Sequence, residues 1–309
     1  MTALGERIRT LRAERQLQQR QLAEKAGLTP SMVSQIESGR LSPSLNTVGK
    51  LAAVASHPEV VASFPALATA AGLVSSPQLR NMGTIGGNVC VDTRCNYYNQ
   101  SFPWRKAIGF CMKKDGDICL VAPSSPRCWA VSSSDTAPVL WSLGARVRLV
   151  GVHGERMVPV ESLYRDDGIE YLTRRPDEIL AEIVLPPADG WTSTYLKLRR
   201  RGSFDFPVLG VAVALRMEGE IVRGARIVLG AVASLPREAK AANDALKNER
   251  LTTELIMRVA DLAAGPSKPL DNTDYAHFYR KRMTRVFVAR ALRQLADLAG
   301  DDRADQEMV

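Results

Sequence analysis

All five cysteines of this 309-residue chain, Cys90, Cys95, Cys111, Cys119 and Cys128, fall within residues 90–130, a stretch with almost no periodicity. It mixes cysteine with proline, asparagine and aromatic residues, so neither a helical nor a strand-like repeat gives it an apolar face to bury. The N-terminus, MTALGERIRTLRAER, lacks the apolar core of a signal peptide, and no run approaches 18 apolar residues. The expectation is therefore a cytoplasmic protein with no membrane partner. In that compartment a cysteine cluster points to metal or redox chemistry more than to disulfides.

Outside this stretch the chain is regularly patterned, and its 45% hydrophobic and 24% charged composition is that of a globular protein. Residues 57–77 read as a linker followed by an Ala-rich helix, and TIGGN as a Gly-rich loop. APVLWSLGA reads as a helix, ARVRLVG as a strand that VHGERMVPV continues, and EILAEIVLP as another strand. TSTYLKLRRR, VLGVAVALRM and GARIVLGAV read as three more strands. Helices are expected at about 236–247, 252–264 and 274–298.

The first 56 residues differ in texture and charge. They hold eight Lys/Arg against four Asp/Glu, a density suited to a polyanion partner, although a solvated helix face would read the same way. Leu4, Ile8 and Leu11, then Leu17, Leu22 and Ala26, recur at helical spacing, with Gly27 as a stop, Thr29 and Pro30 as a new start, and a fourth helix from Ser44 through Leu51. The run LAEKAGLTPSMVSQIESGR followed by SPSL resembles a Cro/lambda-repressor-type helix-turn-helix domain. The resemblance implies DNA as a partner of residues 1–56. Ser31, Ser34 and Gln35 would face base edges, and Gln19, Arg20 and Arg40 would hold phosphates. Glu37 would tie the recognition helix to its neighbours, and a helical interaction module without DNA affinity is the plainer alternative.

Residues 57–300 resemble the FAD-binding medium subunit of the molybdenum hydroxylase family, with 4-hydroxybenzoyl-CoA reductase as the nearest branch. SPQLRNMGTIGGNVCVDTRCNYYNQ, FPWRKAIGFCMKKDGDIC, SSSDTAPVLWSLGA, RRRGSFDFPVLGVAVAL and GPSKPLDNTDYAHFYRKRM carry the likeness. It implies that Thr84, Ile85, Gly86, Gly87 and Asn88 lie along the FAD diphosphate, with Asp135 in the same site. Leu180 would pack near the isoalloxazine, and Lys197 is a further candidate. Each residue also has a plain structural role available: a tight turn, a helix cap, a core leucine.

The same branch implies that Cys95, Cys111, Cys119 and Cys128, spaced C-x15-C-x7-C-x8-C, hold a [4Fe–4S] cluster. A four-thiolate zinc site and free buried thiols are the alternatives, although the paired knuckles of zinc sites are absent. Cys90 falls outside the spacing and reads as a small buried residue. Molybdenum-cofactor and [2Fe–2S] subunits would be the partners. The first Gly-rich diphosphate loop of the family has no counterpart, since the helix-turn-helix stands in its place, and a missing layer would leave apolar surface exposed.

The expected architecture is multidomain α+β. An all-α helix-turn-helix domain (1–56) precedes a truncated α/β FAD-binding (PCMH-type) domain (57–188) with an iron–sulfur insertion at 90–130. An α+β C-terminal domain of the CO-dehydrogenase flavoprotein type (189–300) and a polar tail (301–309) follow. Three functions remain open on this reading: an oxidoreductase electron-transfer subunit fused to a DNA-binding domain, a redox-sensing transcriptional regulator, and a rearranged gene product that no longer binds FAD.

Overall fold

A computed structural model of the protein describes residues 9–10, 12–14, 16–26, 30–37, 50–202 and 204–296. Gly27, Thr29, Gly39, Arg40, Ser44 and the tail from 301 lie outside the described residues.

Two N-terminal helices, α1 (Gln19–Ala26) and α2 (Pro30–Glu37), pack on each other. Ala23 and Val33 are their buried apolar residues. Glu37 at the end of α2 is buried and accepts from Arg12 Nε at 2.5 Å, Arg12 Nη2 at 3.0 Å and Gln19 Nε2 at 2.8 Å. The Arg12 hydrogen bond holds its carboxyl below the usual range, against the opposing effect of burial. Glu37 is thus a tie between elements, as the sequence suggests.

The composition change near residue 56 does not coincide with a break in packing. Helix α3 (Leu51–Ser56) buries Leu51 in the next core, and Leu51 N–H donates to Gly83 O at 3.0 Å. The stretch expected as a linker is helical too, forming α4 (Pro58–Ser63) and α5 (Pro65–Leu73), each with proline at its first position, where a missing N–H costs nothing. Next come α6 (Pro77–Met82), α7 (Ile85–Val89), α8 (Phe102–Ala107) inside the cysteine stretch, and α9 (Thr136–Ser142).

Strands β1 (Arg146–Gly151) and β2 (Gly154–Pro159) correct one expectation. VHGERMVPV does not continue the preceding strand but turns back on it, pairing Gly151 with Gly154, whose φ of +118° only glycine adopts readily. With β3 (Ile179–Val184) they form an antiparallel sheet of order β2-β1-β3.

The second sheet, β4 (Trp191–Leu198), β5 (Leu209–Glu218), β6 (Ile221–Gly230) and the short β7 (Arg237–Glu238), is antiparallel in sequence order. Strand β5 is buried on both faces, and its residue sizes assign the faces. Val211, Val213 and Leu215 join the core with α10 (Lys240–Leu246), α11 (Thr253–Ala263) and α12 (His277–Leu295). The alternate Ala212 joins the other core with α5, α7, α9 and β1. Small residues on that second face let the helices approach closely: a Cβ on Gly230 would stand 3.1 Å from Pro138 Cγ.

Arg280 on α12 is fully buried and holds three loops together. Its Nε donates to Val208 O, Nη1 to Leu270 O and Nη2 to Ala231 O, at 2.9, 2.9 and 2.5 Å. Burial draws its guanidinium pKa down to about 10, so it stays charged at neutral pH. Arg280→Met is expected to orphan three carbonyls and cost roughly 3 kcal/mol or more, at about 1–3 kcal/mol for each unsatisfied group. Urea unfolding at pH 7 measures this; an unchanged midpoint refutes it.

Candidate functional site

The site begins at TIGGN. Expected as a loop, it closes into the single turn of α7, because Thr84 caps it: Thr84 Oγ1 accepts from Gly87 N–H at 3.0 Å. Asn88, at the far end of that turn, is buried. Its Oδ1 accepts from Ser134 Oγ at 2.9 Å, Thr136 N–H at 3.1 Å and Thr136 Oγ1 at 2.7 Å. One amide oxygen therefore joins the Gly-rich turn to the SSSDTAP turn, although 46 residues separate Asn88 from Ser134.

Beside Ser134 stands Asp135, buried between two partners from β4. Tyr195 and Lys197 are two positions apart and so point to the same face. Tyr195 Oη donates to Asp135 Oδ1 at 2.9 Å, and Lys197 Nζ donates to Asp135 Oδ2 and to Leu73 O, both at 2.9 Å. Burial pushes the Asp135 carboxyl up to about 6, with the Lys197 charge opposing it; burial likewise draws Lys197 down. Gly210 makes room for this cluster, since a Cβ there would lie 2.8 Å from Tyr195 Oη.

Thr84, Gly87, Asn88 and Asp135 line one open cavity of about 410 Å³, together with Leu51, Leu79, Met82, Phe204 and Phe206 among others. Its walls are mostly apolar, and Leu79, Met82, Phe204 and Phe206 stand exposed, Met82 at 78%. The remaining expected residues lie behind this surface. Ile85 and Leu180 are buried in the core, Leu180 paired with Leu149 of β1; Gly86 is buried in α7; Lys197 reaches the cavity only through Asp135. Sequence reasoning missed Tyr195, Phe204 and Phe206, although RRRGSFDFP was already a marked motif.

The four spaced cysteines, each buried, line a second, small cavity with Tyr97, Met112, Lys113 and Ala130 among its walls. Tight turns set three of them. Cys95 O accepts from the N–H groups of Tyr98 and Asn99, Cys111 O from those of Lys114 and Gly116, and Cys119 O from that of Ala122. Cys128 is set by the chain beyond the insertion: Gly168 N–H donates to Cys128 O at 2.9 Å, and a Cβ on Gly168 would come within 2.7 Å of Cys128 Sγ. Cys90 lies outside this cavity and is half-buried rather than buried as expected.

All five thiols are free. Burial raises Cys95, and Cys128 to about 11, with the Lys113 charge opposing it at Cys128. Among the described residues, no group of three or more His, Cys, Asp or Glu side chains is placed to hold a metal ion.

A third cavity, of about 350 Å³, adjoins both. It shares Cys95 with the thiol cavity and Phe204, Asp205 and Phe206 with the apolar one. Between them, the Arg94 guanidinium stacks 3.9 Å from the Phe206 ring centroid.

A capped Gly-rich turn facing an antiparallel sheet, with an open apolar cavity over a buried carboxylate, is a scaffold of the cofactor-binding class. The chain belongs to the family described as FAD binding domain in molybdopterin dehydrogenase, which it matches over residues 31–188. Residues 193–295 match the CO dehydrogenase flavoprotein C-terminal domain. The first match begins inside the segment expected to be helix-turn-helix. Among relatives, the aldehyde oxidoreductase FAD-binding subunit PaoB of Escherichia coli K12 is 30% identical over 62% of this chain and 61% of its own length. The carbon monoxide dehydrogenase medium chain of Hydrogenophaga pseudoflava is 27% identical over 77% of this chain and 69% of its own. The chain thus spans about three-fifths of the length of PaoB. A carbon monoxide dehydrogenase structure from H. pseudoflava, lacking the Mo-pyranopterin moiety of its cofactor, superposes with a TM-score of 0.63 at 27% identity, covering 80% of this chain and 72% of that one. No helix among the described residues is long and apolar enough to cross a membrane.

Lys197→Met would leave the Asp135 carboxylate buried without a counter-charge, which costs about 3–5 kcal/mol for a broken buried pair. The variant can escape by protonating Asp135, whose folded pKa then rises further above its unfolded value. Both proteins hold Asp135 protonated below its folded value of about 6, so the loss is expected to be small there and to grow as pH rises above 6 toward the variant's higher folded value. Unfolding of both proteins across pH 4–8 measures this, and a pH-independent difference contradicts it.

Proposed function

We propose that the chain is an FAD-holding electron-transfer subunit of a molybdenum-hydroxylase-type oxidoreductase, of the 4-hydroxybenzoyl-CoA-reductase-like kind that also carries a [4Fe–4S] cluster. The observation that carries this reading is the gathering of Cys95, Cys111, Cys119 and Cys128 around one cavity, next to the cavity of the Gly-rich turn. Four buried thiols around one cavity are the donor set that a four-thiolate cluster would use. Family membership supports FAD, and so does the open apolar wall over Asp135.

Thr84, Gly87, Asn88 and Asp135 would hold FAD, with Ile85, Gly86 and Leu180 shaping the wall from behind and Lys197 acting through Asp135. The exposed rings of Phe204 and Phe206 would offer the cofactor an apolar surface on the same wall. Leu79 and Met82 stand exposed on one side of the cavity, where a further apolar contact to FAD would fit. FAD exchanges electrons in pairs and the cluster singly, so the chain links the two kinds of carrier; its residues orient and insulate, and none serves as an acid or base. Molybdenum-cofactor and [2Fe–2S] subunits are the proposed partners.

Anaerobic purification followed by iron, zinc and flavin analysis is the test. About four irons per chain with bound flavin is the expected result. Cys111→Ser is expected to lose most of the iron, and unchanged iron would refute the ligand assignment. Iron without flavin would favour a cluster-based redox sensor. A colourless chain would mean that the family likeness records ancestry alone.

A second reading, DNA binding through residues 1–56, is favoured by the packing of α1 and α2 through Glu37. Ser31 and Ser34 on α2 and Arg20 on α1 are exposed, whereas Gln19 spends its amide on Glu37 and is less suited to hold a phosphate. Gln35→Ala is expected to weaken binding to a selected operator by about 1–3 kcal/mol for a lost bidentate base contact. Equal affinity in a titration at fixed salt would count against it.

A further inference from the structure

One buried cation stands in the wall of the thiol cavity with no role so far. Lys113 is only 6% exposed and lines that cavity beside its neighbours in sequence, Cys111 and Met112. Its ammonium donates to Asp92 Oδ1 at 2.7 Å, Thr93 Oγ1 at 2.6 Å and Gly168 O at 2.8 Å. An ammonium has three N–H groups, and these three oxygens use them all. None is left for a sulfur, so Lys113 acts on the cavity by charge rather than by hydrogen bonding. The rings of Tyr98 and Tyr171, with centroids 4.8 and 5.7 Å from Nζ, complete its surroundings.

The charge is also oriented. Asp92, the acid paired with Lys113, is 48% exposed, so its field is partly screened by water, whereas Lys113 is on the inner side. Gly168 ties the two features together. Its carbonyl receives the Lys113 ammonium, its N–H holds Cys128 O, and its lack of a side chain lets Cys128 Sγ approach. A shift of the lysine would thus disturb the very residue that seats a thiol.

We infer that Lys113 is a positioning and tuning residue that raises the reduction potential of the centre held by the four cysteines, with Asp92 setting how much of its charge is felt. The inference rests on the cluster reading above. Reduction adds one negative charge to a four-thiolate centre, and a fixed cation at its wall favours the more negative state; net local charge is one of the levers that set cluster potentials.

The test is a redox titration of the purified full-length protein with dithionite as the one-electron donor. The cluster midpoint is read by electron paramagnetic resonance, and iron is counted in every sample. Lys113→Met with unchanged iron is expected to move the midpoint to more negative values, and Lys113→Arg to restore it. Asp92→Asn is expected to move it to more positive values, because it unmasks the lysine. An unmoved midpoint in Lys113→Met with full iron overturns the inference. If Lys113→Met loses its iron, Asp92→Asn decides, and a midpoint that stays or falls there overturns it equally. A wild-type chain without iron overturns the cluster reading itself, and this inference with it.

Discussion

The buried pair of Asp135 and Lys197, with Tyr195 on the second carboxylate oxygen, organises this molecule. Asp135 belongs to the turn that starts α9, and Tyr195 and Lys197 to the first strand of the second sheet, so the cluster is the polar seam between the two halves. A buried carboxylate is costly unless it is both paired and hydrogen-bonded. Here Lys197 also donates to Leu73 O, bringing the end of α5 into the same seam. The apolar packing around it, with Ala212 and Pro138 admitting close approach, depends on that register. The cavity of the Gly-rich turn has Asp135 in its wall, so the seam that joins the halves also positions the polar group of the site.

The cysteine stretch obeys a different logic. It has no apolar face of its own, and its order comes from clamps at its base. Arg94 and Val131 exchange backbone hydrogen bonds, Asn96 N–H reaches Asn272 O, and Ser132 N–H reaches Ala233 O. Between these clamps, tight turns spend the carbonyls of Cys95, Cys111 and Cys119, while Gly168 holds Cys128. The core of the stretch is small, Cys95, Cys128 and Ala130 with Tyr97, Tyr98, Met112 and Val121 packed against them, so a ligand that binds only the folded form would add directly to its stability. The contact of Arg94 with Phe206 carries the clamp to the neighbouring cavity, so the two sites share structural elements.

Much of the fold was legible because strand and helix periods are local. The runs at β4, β5 and β6 and the three C-terminal helices were readable to within a few residues. Strand β7, two residues long, was not, and neither was the reversal between β1 and β2, where the signal was Gly154 rather than a change of period. The linker before α5 is a helix, and Pro58 and Pro65 stand at first helical positions, where proline starts a helix. The residues of the Gly-rich turn were named from their motif, but only some of them face the cavity. Leu180 looked like a site residue and is a core leucine, because its strand turns that side chain toward Leu149.

Taken by itself, the sequence determined which residue types were available and at what spacing: four cysteines in an aperiodic stretch, a Gly-rich turn behind a capping threonine, an acid beside a helix start. Those are properties of short segments, set by backbone sterics and side-chain chemistry. Which of them meet was decided only by tertiary structure. Asn88 reaches Ser134 and Thr136, Asp135 finds Tyr195 and Lys197, and Gly168 admits Cys128 and receives Lys113, each across tens of residues. No periodicity encodes such pairings. They follow from the close packing of two sheets and their helices, which leaves each buried polar group the few partners that the fold brings within reach.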